Sequence, residues 1–408
     1  MDVLILDLTH GGDIIARKLK DDGHRVTVVD IYHLSSPQER KSLVDEDILV
    51  FDVSPAEDFD LLISPIHCPD FYISPATFRK RRFFSEIVGD LIGPTPFRIE
   101  ITGVKGKTST CHILAHLLSE NGKRVLLHTS RGRELIIDGD RIMVSSEVSI
   151  APPSLLRPIE MNVDYVVNEV SLGGSGKADM AIITNLADNY PIAGDTRLAR
   201  EAKSSILTER GVNLFPQDEL EIWQTYDPVN VHLHGSSVRL DEHFPLQERQ
   251  PISISLSKVY RICLSNKFLS SAFLQSIEIA ATAAALLGIP EEGIVKSLET
   301  FPGVPGRCEI HPRNGGFLIV EKNPGISHLS IEHVLSNLSK HTRGAEITVL
   351  ITPATKKVCE KMEMEPIKKV VKDYGANLMI IPPKTENDYD LLFQEHKIVV
   401  HFQKEAYQ

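Results

Sequence analysis

Short apolar runs and amphipathic segments follow one another along most of the chain. The first 30 residues predict a strand, a turn, a helix and a second strand. The strands are the apolar runs at 3–8 and 25–30, the turn lies at 9–12, and the helix has apolar residues at helical spacing over 14–19. A third strand is predicted at 60–64. This alternation is typical of α/β folds with mainly parallel sheets.

Two segments rich in proline and glycine, at 93–96 and 301–306, predict domain boundaries. The predicted domains are 1–94, 95–304 and 305–408. Strands of the second and third domains are predicted at 97–102, 124–128, 165–170, 180–184, 317–320, 347–351, 377–381 and 397–402. Helices are predicted at 277–287, which is rich in alanine, and over the apolar positions of 329–338.

The composition excludes several classes of protein. The 408 residues are 42% hydrophobic and 24% charged, which is ordinary for a globular chain. The net charge of −11, from 44 basic and 55 acidic residues, argues against nucleic-acid binding, which needs a basic face. No apolar run is long enough to span a membrane, and the N-terminus lacks the features of a signal peptide. The five cysteines have no metal-ligand spacing, so we expect neither a zinc site nor disulfides, and a cytoplasmic location.

The segment 102–108 reads TGVKGKT and lies between a predicted strand and a predicted helix. In such a loop, glycines let backbone N–H groups turn towards phosphate oxygens, and the helix N-terminus adds positive potential. Lys107 is then placed to reach the terminal phosphates, and the Thr108 hydroxyl to help hold Mg²⁺. Ile101 stands where the usual phosphate-loop motif begins with glycine, so an ordinary glycine turn is the alternative.

Carboxylates follow predicted strands at positions where α/β sheets bind ligands. Glu169, near the end of the strand at 165–170, is a candidate metal ligand beside nucleotide phosphates, with a helix-capping or salt-bridge role as the alternative. Asp30 after the second strand, and Gly11 and Gly12 after the first, hint at a dinucleotide site. The full glycine motif is absent, which favours a Rossmann-like scaffold without a bound dinucleotide.

Five short motifs occur in the order and at the spacing of the Mur ligase superfamily, which the chain therefore resembles; they lie at 102–108, 169–171, 184–185, 202–203 and 306–309. The resemblance implies an α/β architecture of three domains, with a central P-loop ATPase domain between Rossmann-like flanking domains, the first of which binds substrate. It also implies that ATP and Mg²⁺ serve to phosphorylate a substrate carboxylate. A nucleophile, usually an amine, then attacks the acyl phosphate.

The resemblance assigns roles to individual residues. Lys107, Glu169 and Lys203 take catalytic roles, and Thr108, Glu169 and Lys203 bind metal. Lys203 matches the lysine that is carbamylated in many members, where the added carboxylate binds a second Mg²⁺; a solvated lysine is the alternative. The residues implied in nucleotide binding are Thr102, Gly103, Val104, Lys105, Gly106, Lys107, Thr108, Ser109, Asn185, Arg307 and Glu321.

The sequence departs from the family pattern around the second metal site. Asn189 stands where the family usually has a metal-binding histidine, so a second Mg²⁺ would be bound more weakly or differently. Leu172 replaces the second serine of a motif, and the glycine-rich stretch 173–176 follows it. That stretch either leaves room for a bulky substrate or is a surface turn.

The N-terminal region favours one branch of the superfamily. The stretch 7–12, the short length and the segment 350–355 resemble the coenzyme F430 synthetases of methanogens. That branch uses ATP to activate a propionate side chain of seco-F430, a nickel tetrapyrrole, and closes a carbocyclic ring with a carbon nucleophile. The residues then expected at the substrate are His10, Gly11, Gly12 and His67, with a structural role as the alternative for each histidine.

Two other functions stay open at this point. One is an amide ligase of the same superfamily that acts on a cell-wall or cofactor precursor. The other is a non-catalytic nucleotide-binding protein. We therefore expect ATP, Mg²⁺ and a small-molecule substrate as ligands, without nucleic acid or membrane, for a chain that is a monomer or a homodimer.

Overall fold

The computed structural model describes residues 1–146, 148–186, 189–241, 245–313, 315–323, 325–342, 344–352, 362–381, 393 and 397–404. The chain divides into two compact units, of which the first contains 1–111 and 118–234 and the second 112–117 and 235–408. Both units are built from strands and helices in alternation, so the α/β fold class is confirmed. The boundaries of the three predicted domains stay a prediction.

The first unit begins with a fully parallel sheet in the order β3-β2-β1-β4-β5. Its strands are β1 (Asp2–Leu6), β2 (Arg25–Val29), β3 (Leu49–Phe51), β4 (Asp58–Ser64) and β5 (Thr77–Phe83). Its helices are α1 (Gly12–Asp21), α2 (Pro37–Asp45) and α3 (Phe84–Leu91). The predicted strands at 3–8, 25–30 and 60–64 are confirmed as β1, β2 and β4. The sequence did not predict β5, since its charged, mostly exposed residues hide the apolar pattern of a strand.

Apolar residues of β1 and β4 point alternately to the two faces of this sheet, and both faces are buried. Val3 and Ile5 pack with Ile15 of α1 on one face, while Leu4 and Leu62 belong to the cluster on the other face. A parallel sheet covered on both faces needs strands that are apolar at every position, which is the pattern of these runs. The carboxyl ends of β1 and β4 therefore emerge together at one edge of the sheet.

The second sheet of this unit has the order β15-β14-β11-β6-β10-β7-β8-β9, and β12 and β13 form a short separate ribbon. Its strands and those of the ribbon are β6 (Phe97–Thr102), β7 (Val125–Thr129), β8 (Gly132–Ile137), β9 (Asp140–Ser145), β10 (Tyr165–Glu169), β11 (Met180–Ile183), β12 (Pro191–Ile192), β13 (Arg197–Leu198), β14 (Val212–Pro216) and β15 (Val231–His234). The helices are α4 (Lys107–Glu120), α5 (Ala199–Ser204) and α6 (Leu220–Gln224). The four strands predicted between 97 and 184 are confirmed, and the antiparallel pair β8 and β9 is an addition.

Strand β6 lies in the middle of the second sheet, parallel to β10 on one side and β11 on the other. In this register Glu169 pairs with Ile101, and Ile183 with Thr102. The segments that follow β6, β10 and β11 thus leave the sheet side by side at its carboxyl edge. This is the edge at which open α/β sheets bind their ligands.

The second unit contains a small antiparallel sheet and a mixed one, in the orders β16-β17-β18 and β19-β20-β23-β21-β22. Its strands are β16 (Val238–Leu240), β17 (Gln250–Ser255), β18 (Val259–Leu264), β19 (Glu309–Arg313), β20 (Gly316–Asn323), β21 (Ile347–Thr352), β22 (Asn377–Ile380) and β23 (Ile398–Lys404). Its helices are α7 (Leu274–Leu286), α8 (Glu291–Thr300), α9 (His328–Thr342) and α10 (Met364–Asp373).

The elements predicted for this part of the chain are confirmed. The alanine-rich segment forms α7, which is buried over most of its surface as its small side chains allow. The predicted strands between 317 and 402 correspond to β20, β21, β22 and β23. Residues 353–355 of the segment at 350–355 lie outside the described residues. Among the described helices, none combines the length and apolar character needed to cross a membrane.

Candidate active site

The loop between β6 and α4 is held against the end of β11. The Val104 N–H donates to the Asn185 carbonyl (3.0 Å), and the Lys105 N–H donates to the Asn185 side-chain oxygen (3.2 Å). In return, the Thr184 hydroxyl donates to the Lys105 carbonyl (2.5 Å). Gly103 has a φ of 142°, and a Cβ at this position would overlap the Thr184 hydroxyl, so the close approach requires glycine. The structure thus places Asn185, which was predicted at the nucleotide, against the backbone of the loop.

Helix α4 begins directly after this loop and makes that end of the site electropositive. Gly106 has a φ of 80°, which lets the chain turn into the helix at Lys107. The first N–H groups of an α-helix have no acceptors within the helix, and the helix dipole favours an anion in front of them. The Lys107 ammonium donates to the Gly103 carbonyl (3.2 Å), so it lies over the loop. A loop and a helix in this arrangement can bind phosphate groups.

The predicted metal-binding residues Thr108 and Glu169 are in direct contact. The Thr108 hydroxyl lies 3.0 Å from both carboxylate oxygens of Glu169, and the Ser130 N–H donates to one of them (3.0 Å). Glu169 is only 3% exposed and forms no ion pair within the described part of the chain. The site therefore offers a hydroxyl and a buried carboxylate, which are the hard oxygen donors that Mg²⁺ prefers. The donors present fit this ion.

Lys203 on α5 is buried beside the same loop, with 1% of its surface exposed. Its ammonium donates to the carbonyls of Gly103 (3.1 Å) and Ser171 (3.3 Å). Burial, and then the neighbouring charge of Lys107, hold the pKa of Lys203 well below its usual value. The alternative of a solvated lysine is wrong. The structure brings Lys203, Lys107, Thr108 and Glu169 together around one loop.

The glycine-rich stretch at 173–176 is not a surface turn. Gly173, Gly174 and Ser175 are buried, and a Cβ on Gly174 would lie 2.5 Å from Ile206 and 2.7 Å from the Glu100 carboxylate. Glu100 accepts hydrogen bonds from the N–H (2.7 Å) and hydroxyl (2.5 Å) of Ser175. The glycines are therefore needed for close packing. Glu100 was missed as an anchor of the site, because a lone acid within an apolar run carries no motif.

Asn189 lies close to the start of α5. Its side-chain oxygen accepts from the Arg200 N–H (3.0 Å), so this neutral residue is engaged with the backbone of the helix that carries Lys203. Its neighbour Asp188 lies outside the described residues.

In the second unit, Arg307 and Glu321 are neighbours. One Arg307 nitrogen lies 3.4 Å from Glu321, whose carboxylate also accepts from the Cys308 N–H (2.9 Å) and the Asn323 side chain (2.6 Å). The Arg307 Nε atom is buried and has no hydrogen-bond partner within the described part of the chain. The two predicted nucleotide ligands therefore form one cluster, and their contact with nucleotide stays a prediction.

The residues predicted at the substrate lie at the carboxyl edge of the first sheet. His10 and His67 meet edge to face, with ring centroids 4.6 Å apart, and His10 Nδ1 contacts the Asp7 carboxylate. Gly12 packs so tightly that a Cβ would overlap the Asp7 carbonyl, and a Cβ on Gly11 would lie 2.9 Å from Pro153. Close packing accounts for both glycines. The histidine pair and Asp7 are polar groups at this edge.

The chain is similar in sequence to a family model and to known enzymes. The model of the Mur ligase middle domain matches residues 101–189, which include the loop, Glu169 and Asn185. The chain is 31% identical to coenzyme F(430) synthetase of Methanosarcina acetivorans, a match that covers 91% of this chain and 87% of that protein. It is 24% identical to coenzyme F(430) synthetase of Methanocaldococcus jannaschii, with 93% and 90% covered.

A solved structure has the same fold. The MurF ligase of Thermotoga maritima in complex with ADP matches 97% of this chain and 95% of its own, with a TM-score of 0.55 and 14% identity. At this identity the likeness concerns the fold alone.

Proposed function

The chain belongs to the Mur ligase family of ATP-dependent ligases, and from that premise we propose that it phosphorylates a propionate side chain of seco-F430 and closes a ring to form coenzyme F430. In the first step a substrate carboxylate oxygen attacks the γ-phosphorus of ATP, and ADP leaves. In the second step a substrate carbon attacks the acyl carbon, loses a proton and expels inorganic phosphate. Both new bonds are thus formed without an oxidant or a reductant.

The observation that carries the proposal is the convergence of Lys107, Thr108, Glu169 and Lys203 at the carboxyl edge of the second sheet. Phosphoryl transfer needs little covalent chemistry from the protein and depends on positioning and on offsetting negative charge. The N–H groups of the loop and the Lys107 ammonium are suited to hold the phosphates. Thr108 and Glu169 would hold Mg²⁺, which offsets phosphate charge when it is bound.

Lys203 supports the same chemistry in a further way. A lysine whose pKa is lowered by burial keeps a larger neutral fraction, and the neutral amine is the form that adds carbon dioxide. We propose that Lys203 is carbamylated and thereby supplies a carboxylate beside Thr108 and Glu169. Activity that falls in carbonate-free buffer and returns with added bicarbonate would support this role, and activity independent of bicarbonate would contradict it.

The choice of substrate is supported by the relatives that match along most of the chain. Both named relatives with more than 90% of this chain covered are coenzyme F(430) synthetases. We propose that Gly11 and Gly12 shape the loop beside which the tetrapyrrole binds. We propose further that Arg307 and Glu321 bind the nucleotide.

Release of ADP from ATP and Mg²⁺ in the presence of seco-F430 tests the proposal. We expect release that depends on the tetrapyrrole, and a product with the absorption spectrum of the closed ring. The Lys107→Ala variant should lose activity by several orders of magnitude and keep the fold, whereas Lys41→Ala, an exposed lysine on α2, should be unaffected. Turnover with an amino acid and a cell-wall precursor, but not with the tetrapyrrole, would overturn the proposed substrate. Full activity of Lys107→Ala would overturn the assignment of the loop.

A further inference from the structure

Three side chains with metal-binding atoms converge at the carboxyl edge of the first sheet, and none of them belongs to the nucleotide site. Asp7 follows β1, His10 lies three residues later, and His67 follows β4. One carboxylate oxygen and one nitrogen from each imidazole all lie within 4.8 Å of one another. Bound to a metal at about 2.0–2.2 Å, such atoms would be somewhat closer together, so small side-chain movements would complete a site.

Asp7 is held in place by the backbone in an unusual conformation. Its φ is 83°, which residues other than glycine rarely adopt, and its side chain is fully buried. The carboxylate accepts from the His10 backbone N–H (3.2 Å) and contacts the His10 ring at Nδ1. Strained backbone of this kind concentrates at functional sites, because the surrounding structure must stabilise it.

His67 presents an imidazole that is ready to act as a ligand. Its ring nitrogens have no hydrogen-bond partner within the described part of the chain, and the ring keeps some surface exposed. An imidazole nitrogen that no hydrogen bond occupies can bind a metal ion.

The adjacent cysteine does not compete as a ligand. The Cys68 Sγ atom is not among the ligand atoms that lie within 4.8 Å of one another, and it contacts the Pro69 carbonyl (3.6 Å). Two nitrogen donors and one oxygen donor remain.

We propose that Asp7, His10 and His67 form a binding site for a free divalent transition-metal ion of the Zn²⁺, Ni²⁺ and Co²⁺ class. Two imidazoles with one carboxylate suit these ions, while Mg²⁺ and Ca²⁺ take oxygen ligands. Three protein ligands leave at least one position open to water or a further ligand. Because three ligand atoms converge on one point, the geometry favours a free ion over the metal of a planar macrocycle, which offers only axial positions.

Calorimetric titration of the nucleotide-free full-length chain with Ni²⁺, Zn²⁺ and Mg²⁺ tests this site. We expect about one equivalent of Ni²⁺ or Zn²⁺ to bind at micromolar concentration, and Mg²⁺ to bind far more weakly. His67→Gln and Asp7→Asn should each weaken Ni²⁺ binding at least tenfold, since each removes or weakens one ligand. Asp7→Asn keeps the side-chain shape and a residue type that tolerates positive φ, so the loop should stay folded.

Two control variants separate this site from other metal-binding groups. His311→Gln changes a histidine of the second unit whose side chain is 45% exposed, and it should leave Ni²⁺ binding unchanged. Glu169→Gln changes the proposed Mg²⁺ ligand and should do the same in the absence of nucleotide. The visible spectrum of the Co²⁺ complex should show nitrogen ligation that is lost in His67→Gln. Unchanged Ni²⁺ affinity in His67→Gln, or no binding of Ni²⁺ or Zn²⁺ below about 1 mM, would overturn the proposal.

Discussion

Replacement of Glu100 by glutamine should destabilise the first unit and disturb the site at the same time. Glu100 is fully buried in β6 and accepts from the Arg98 side chain (2.9 Å) as well as from the backbone and hydroxyl of Ser175. Arg98 is itself only 5% exposed and donates in addition to Thr95 (3.0 Å) and the Lys177 carbonyl (2.6 Å). Glu100→Gln keeps the shape of the side chain and removes its charge.

The expected cost follows from these contacts. The variant leaves the buried Arg98 cation without its counter-charge, and breaking a buried ion pair in this way costs about 3–5 kcal/mol. The hydrogen bonds to Ser175 weaken as well, because a bond to a carboxylate is stronger than one to an amide. For a folded unit of this size, about 2–4 °C of Tm is lost per kcal/mol, so the Tm should fall by about 6–20 °C.

Differential scanning calorimetry of the wild-type chain, Glu100→Gln and Glu209→Gln provides the measurement. Glu209 is a matched control, because its side chain is 83% exposed and lies 4.0 Å from Lys177, where an ion pair contributes less than about 1 kcal/mol. ADP release by Glu100→Gln below its Tm should also be reduced, since the stretch at 173–176 loses its anchor. Equal Tm values for the two variants would refute the view that the buried pair holds this stretch.

Three further outcomes are expected. Glu169→Gln should raise the Mg²⁺ concentration needed for half-maximal ADP release at least tenfold, and an unchanged titration would remove Glu169 from the metal site. Burial lowers the pKa of His128 from 6.5 to about 4, so on acidification the unfolded chain binds a proton before the folded chain does. The free energy of unfolding should therefore drop by about 3 kcal/mol as the pH falls from about 6.5 to 4. Urea titrations should find a smaller drop in His128→Gln. Cys263 is exposed, whereas Cys68, Cys111 and Cys308 are buried and have raised thiol pKa values. Iodoacetamide should therefore alkylate Cys263 first among these four cysteines, which mass spectrometry after a brief treatment can detect.

Features that depend on neighbours along the chain are readable from the amino-acid sequence. Apolar runs predicted the buried strands β1 and β11, because a strand covered on both faces needs apolar residues throughout. The phosphate loop was equally readable, since its glycines, Lys107 and the following helix are contiguous. Strand β5 escaped prediction because charged residues occupy an exposed edge, where burial imposes no pattern.

The contacts between distant segments follow from the tertiary fold and not from local sequence. Residue spacing alone does not distinguish Lys203 from a solvated lysine, yet packing buries it against the loop 100 residues earlier and lowers its pKa. A surface turn was one of two interpretations of the stretch at 173–176, and the stretch is buried because Glu100 of β6 binds it. Asp7 and His67 are far apart in sequence and meet because β1 and β4 are neighbours in a parallel sheet. Burial, charge and ligand geometry depend on such long-range contacts, and local residue spacing does not encode them.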